Sequence, residues 1–276
     1  MTLQNMGQLL IPFLLFLCVR SLVSYLVQVA FLSVGKSVSG WDFFFLRDEV
    51  GALTGFTGNV WALASAISCI AAILSVWGTV RLALSNTADD MRLEHLKREP
   101  GKSYVILGVL TVCAVFGLNM LLELAGAAQT SGNYQAVQAE QFSAGLLLSL
   151  VCYGLISPIA EELIFRGVVY GKLRRMTGRI LAMAFSALLF GMYHMNLVQG
   201  IYGTVMGCLM VYAYEYFGSF WAAAAIHVAA NVLALGMGHA GSAMSGMTSW
   251  PACLVFLGAA AGGVFWLHRR KGGTMI

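Results

Sequence analysis

Hydrophobic residues run along this chain in long blocks separated by short polar connections. Apolar stretches of the length needed to cross a bilayer, about 20 residues, fall at residues 9–31, 60–82, 104–127, 145 onward, 180–197, 201–217, 221–237 and 251–267. The pattern predicts eight membrane-spanning helices, in which the backbone satisfies its own hydrogen bonds. The first stretch lacks a basic leader and exceeds a typical signal core, so it is expected to stay as a helix. Two polar stretches interrupt the pattern. Residues 85–103 are charge-rich and read as a loop or surface helix, and residues 129–141 as an external connection.

Composition supports that reading. Of 276 residues, 59% are hydrophobic and 10% charged, with a mean hydropathy of +0.79. A soluble domain carries about a quarter charged residues, so the fold class expected is all-α, polytopic and integral to a membrane. The expected location is a prokaryotic plasma or inner membrane, with the lipid bilayer as a partner and no nucleic acid. The six cysteines are scattered through apolar segments without CxxC spacing and read as small buried hydrophobes.

Charge adds orientation. Arg81, Arg92, Lys97, Arg98 and Lys102 follow the second stretch, and Arg166, Lys172, Arg174, Arg175 and Arg179 accompany the end of the fourth. Arg269, Arg270 and Lys271 close the chain, whereas the odd-numbered connections hold only Lys36 and Arg47. Cytoplasmic loops collect Lys and Arg, which places both termini in the cytoplasm. The chain divides into N-terminal helices over residues 1–140, a chemical core over 141–240, and a last helix with a basic tail over 241–276.

A few polar residues stand inside apolar blocks: Glu161, Glu162 and Arg166, then His194, then His227 and Asn231. Charge at membrane depth is costly and marks a function by default. Glu162 and Arg166 are spaced i, i+4 and share a helix face, whereas Glu161 is rotated by about 100°. One acid is therefore free to face a cavity while its neighbour is neutralised. Phe190 and His194, and His227 and Asn231, repeat the i, i+4 relation. At 1.5 Å per residue, Glu161 lies about 20 Å and His194 about 22 Å from the basic boundaries, and His227 about 13 Å beyond the turn at Gly218 if that turn sits at the surface. These depths meet only if the fourth helix runs past the acids to Arg174–Arg175, with Ser157-Pro158 kinking it on the way.

Hydrolysis fits this set. A carboxylate in an apolar site has raised proton affinity and can take a proton from water. Histidine can hold that water, and a second His with an amide can donate to an oxyanion. GxSxG and HExxH motifs are absent. Glu161, His194 and His227 also match a His2Glu zinc set, so the residues leave a metal-free site and a Zn2+ site both open. Arg20 and Glu123 are expected to pair across helices or to reach an interface, and Glu215 to be solvated. Gly203 with Gly207, and Gly258 with Gly262, are expected to let helices approach closely. The aromatic run at residues 41–45 reads as an interfacial segment.

The ordered trio Glu161-Glu162-Leu163-Ile164-Phe165-Arg166, Phe190-Gly191-Met192-Tyr193-His194 and His227-Val228-Ala229-Ala230-Asn231 resembles the CPBP family (CAAX proteases and bacteriocin-processing enzymes, also called Abi). The resemblance covers about residues 145–238. It implies an intramembrane endopeptidase acting on a membrane-associated peptide or protein, of CAAX or bacteriocin type. Glu161 would activate water with His194, His227 and Asn231 would stabilise the oxyanion, and Glu162, Arg166 and Phe190 would orient the site. A non-catalytic immunity or adaptor protein and a proton-coupled transporter are the competing classes.

Overall fold

The computed structural model describes residues 3–37, 41–94, 101–241 and 246–270. Helix α1 spans Leu3–Ser37, α2 Gly58–Ser75, α3 Trp77–Glu94 and α4 Gly101–Leu124. Two short helices follow, α5 at Ala127–Thr130 and α6 at Gly132–Phe142. Then come α7 at Leu146–Thr177, α8 at Arg179–Met192, α9 at Leu197–Phe217, α10 at Phe220–Ala240 and α11 at Trp250–Arg270. A two-stranded antiparallel hairpin, β1 at Phe45–Arg47 and β2 at Leu53–Phe56, joins α1 to α2. The aromatic run at its start packs Phe44 and Phe45 against Phe31, Phe45 against Phe56, and Phe43 against Phe44.

Among the described residues seven helices are long and apolar enough to cross a membrane. The expected eighth, over 180–197, is instead the 14-residue α8, about 21 Å long and short of the roughly 30 Å hydrocarbon core. The chain turns after it, and Met195 in that turn adopts a left-handed backbone conformation (φ 58°). Asn196 then caps α9, its side chain accepting from the Gln199 N–H at 2.9 Å. The expected span over 60–82 also breaks. Its helix ends at Ser75, and the charged remainder forms α3. The orienting residues Lys97, Arg98 and Lys271, and also His95, lie outside the described residues.

Helix α7 carries the fold's main irregularity. It is continuous for 32 residues, as the depth argument requires, but widens to a π register at Cys152–Ile156 and again at Leu163–Tyr170. Pro158 lacks an N–H and its ring would crowd the carbonyl four residues back. The first wide segment absorbs that defect: the Ser157 N–H reaches back to the Cys152 carbonyl. Wide turns of this kind concentrate at functional sites, and these two flank Glu161 and Glu162.

Small residues fit α8 against α9. A Cβ on Gly191 would overlap Thr204 and the Gly200 carbonyl, and Gly207 sits against Ala187. The Gly203 and Gly207 expectation therefore holds. Gly258 and Gly262 do not behave so: a Cβ there meets nothing within 4 Å. The close approach of α4 and α11 uses Gly117 against Leu257 and Gly263 against Leu110 instead.

One end of the bundle gathers polar contacts. Lys172 of α7 donates to Gln8 of α1 at 3.1 Å, Arg175 pairs with Asp90 of α3, and Arg270 of α11 donates to Ser103 of α4 at 3.3 Å. Glu215, expected to be solvated, is fully buried here among Tyr170, Arg174 and Arg179. Two guanidinium groups and a phenol hydroxyl replace the water that a lone carboxylate would need.

Candidate active site in the bundle core

Helix α7 presents its two acids in opposite senses. Glu162 is sealed: its Oε1 lies 2.9 Å from Arg166 Nη1, and both side chains are 0% exposed. Arg166 also donates from Nη2 to the Gly207 carbonyl at 3.1 Å and lies over the Phe190 ring at 4.9 Å. Glu161 instead lines a cavity of about 610 Å³. The divergence expected from helical phase is what the structure contains.

His227 Nδ1 lies 2.9 Å from Glu162 Oε1. A carboxylate only accepts, so Nδ1 carries the proton. That contact fixes the ring and leaves Nε2 towards Glu161, 3.8 Å from its Oε2. One turn on, Asn231 donates from Nδ2 to the Tyr153 carbonyl at 2.9 Å. In the π register that carbonyl would look to residue 158, which is proline. Asn231 supplies the missing donor, and it also lines the cavity.

His194 stands in the turn after α8, with Nδ1 3.0 Å from the Phe190 carbonyl, and shares the cavity wall with Glu161. Phe190 is the hub. Its ring meets Phe165, His194 and His227 edge to face at 5.1, 5.1 and 5.2 Å. The sequence-derived set thus converges. Glu161, His194, His227, Asn231 and Phe190 line one cavity, and Glu162 and Arg166 stand behind it.

Two residues were missed as members of the site. Arg20, at the middle of α1, lies 3.5 Å from Glu161 Oε1, and its guanidinium covers the Tyr193 ring at 5.0 Å. Tyr193 donates its hydroxyl to the same oxygen at 3.4 Å. Arg20 does not pair with Glu123, which accepts from Thr248 at 2.8 Å. Its signal was a lone cation at mid-depth in an apolar helix; sequence spacing could not say which acid it meets. At the rim, burial pushes the Tyr134 hydroxyl above its ordinary pKa, which keeps it a neutral donor.

Among the described residues no three His, Cys, Asp or Glu side chains converge as metal ligands. Nδ1 of His227 is held by Glu162 and Nδ1 of His194 by a backbone carbonyl, an orientation that zinc-ligating histidines share.

Comparison with known proteins falls on the same stretch of chain. Residues 143–233 match the family model for type II CAAX prenyl endopeptidase Rce1-like proteins, and this interval holds all seven sequence-derived site residues. YdiL of Bacillus subtilis (strain 168), provisionally named a membrane peptidase, is 25% identical over 177 residues, covering 63% of this chain and 69% of YdiL. No solved structure matches. These likenesses support a CPBP-family intramembrane protease, with residues 143–233 as the Rce1-like segment.

Proposed function

We propose that this protein hydrolyses a peptide bond in a membrane-associated peptide or protein, with Glu161 as general base. One observation carries the reading. The only acid of the adjacent pair that reaches the cavity is Glu161, and it does so beside two histidines and an amide.

In this mechanism a water held between Glu161 and His194 loses a proton to the Glu161 carboxylate as its oxygen attacks the carbonyl carbon. His227 and Asn231 face the oxygen on which negative charge develops. Asn231 uses one amide hydrogen on Tyr153 and has the second for the oxyanion. His227 donates from Nε2 in its doubly protonated form, with Nδ1–H kept on Glu162. When the tetrahedral intermediate collapses, Glu161 returns the proton to the leaving amine. Arg166 neutralises Glu162 and so holds the acid that orients His227. Arg20 and Tyr193 act as positioning residues that fix the Glu161 carboxylate.

The test is cleavage of a quenched, lipid-anchored peptide library by purified protein, with metal content measured on the same sample. Wild-type cleavage that Glu161→Ala abolishes, with folding intact, supports the proposal. Undiminished cleavage by Glu161→Ala removes Glu161 as base. Stoichiometric zinc whose removal abolishes cleavage replaces the metal-free mechanism. A protein that cleaves nothing but retains a bound partner when Glu161 or His194 is replaced is an adaptor.

A further inference from the structure

The cavity around Glu161 is closed towards one end of the bundle and open towards the other. Below Glu161, Phe165 lies one turn further along α7 and is fully buried. Its ring contacts Phe13 of α1 at 5.6 Å, Phe190 of α8 at 5.1 Å and Tyr193 at 5.3 Å. The sealed Glu162–Arg166 pair lies behind the same floor. Beyond it comes the polar end described above, where Gln8, Asp90, Arg174, Arg175 and Glu215 meet.

The other end is different. The exposed residues of the cavity lining include Glu123 at the end of α4, Gln129 of α5, and Gly238 and Gly241 at the end of α10. Helix α6 adds Tyr134, Gln138 and Gln141 to the same wall. Its Phe142 is seated so tightly on α10 that no Cβ would fit at Gly238. Further in, the Gly145 N–H donates to Asn59 Oδ1 at 2.7 Å and ties the start of α7 to α2. The mouth thus carries amides, a hydroxyl and a carboxylate, groups suited to hydrogen-bonding a peptide backbone. The volume lies within the usual range for binding cavities.

Lys and Arg collect at cytoplasmic boundaries, and here they collect at the closed end. We propose that the site is entered from the extracytoplasmic face, so that its substrate is a peptide segment presented at the outer leaflet rather than a cytoplasmic tail. This rests on the hydrolytic reading of the cavity for its chemistry, but the side of entry stands on geometry and charge alone. A cytoplasmic tail would meet the aromatic floor. An exported peptide, or an external loop of a membrane protein, meets the polar mouth.

Two measurements test it. The first is independent of catalysis. In a variant with all six cysteines replaced and wild-type thermal stability retained, Gln138→Cys and Ser85→Cys are introduced singly. Each is treated with a membrane-impermeant maleimide, in intact cells and in inverted vesicles. Labelling of Gln138→Cys in intact cells, and of Ser85→Cys in inverted vesicles only, supports the proposal; the reverse pattern overturns it. The second adds an impermeant, quenched, palmitoylated peptide, drawn from those the solubilised wild-type protein cleaves, to either side. Cleavage by intact cells that is lost in Glu161→Ala supports outer entry. Cleavage in inverted vesicles alone overturns the side and leaves the hydrolytic reading standing. If the solubilised protein cleaves no peptide, it is the hydrolytic reading that fails, and the labelling pattern decides the side by itself.

Discussion

Replacing each of the two adjacent glutamates by glutamine should produce opposite failures. Glu162 and Arg166 are both 0% exposed, and Glu162 also receives His227 Nδ1 at 2.9 Å. Removing one partner of a buried ion pair costs about 3–5 kcal/mol, because the other charge is left uncompensated. Glutamine keeps an oxygen that accepts from His227 and Arg166, so Glu162→Gln belongs near the lower limit, about 3 kcal/mol. For a chain of this size that corresponds to a fall in melting temperature of roughly 6–12 °C. Glu161 differs in what surrounds it. It faces the cavity, and its partner Arg20 keeps 24% of its side chain exposed. Glu161 is itself only 6% exposed, but the cavity leaves room for water beside it and glutamine keeps an oxygen for Arg20 and Tyr193, so Glu161→Gln should melt nearer to wild type than Glu162→Gln. Loss of a general base, however, should lower the rate by about 10²–10⁴-fold. Thermal unfolding in detergent, followed by tryptophan fluorescence, and cleavage of a lipid-anchored peptide read the two effects separately. Equal loss of melting temperature in both variants would refute the division, as would wild-type turnover by Glu161→Gln.

Three further substitutions probe the supporting structure. Arg20→Met should lower kcat by between about ten- and a hundredfold through misplacement of the Glu161 carboxylate. KM and melting temperature should stay near wild type and Arg20→Lys should recover part of the loss; a change confined to stability would make Arg20 purely structural. Glu215→Gln should destabilise the protein by about 3 kcal/mol, because Arg174 and Arg179 lose their anion at the basic end. The folded fraction should keep its kcat, measured after correction for active protein. Gly191→Val should force α8 away from Thr204 and the Gly200 carbonyl, costing at least about 1–3 kcal/mol. Cleavage should fall with it, because His194 follows α8 directly; unchanged melting would show that the two helices do not need that contact.

Much of this site was legible because charge is conspicuous in an apolar chain and helical phase is rigid. The spacing of Glu161, Glu162 and Arg166 is enough to separate an acid facing the cavity from a buried pair. Backbone register was not legible. Pro158 announces a disturbance, but whether α7 would kink, stop or widen depends on what can satisfy the carbonyl that proline leaves unpaired. That answer lies on α10, where Asn231 donates to Tyr153. The same amide borders the cavity, so one residue both completes the backbone of α7 and faces the candidate chemistry. The two roles predict different behaviour for two variants. Asn231→Asp retains an acceptor but loses both amide hydrogens, leaving the Tyr153 carbonyl without its donor. Leaving a buried acceptor unsatisfied costs about 1–3 kcal/mol, and the oxyanion donor is lost at the same time. Asn231→Gln keeps the amide on a longer stem and should recover stability before activity, since a backbone carbonyl tolerates a shifted donor better than an oxyanion does. Parallel recovery of melting temperature and turnover in Asn231→Gln would mean that Asn231 acts only through the backbone of α7.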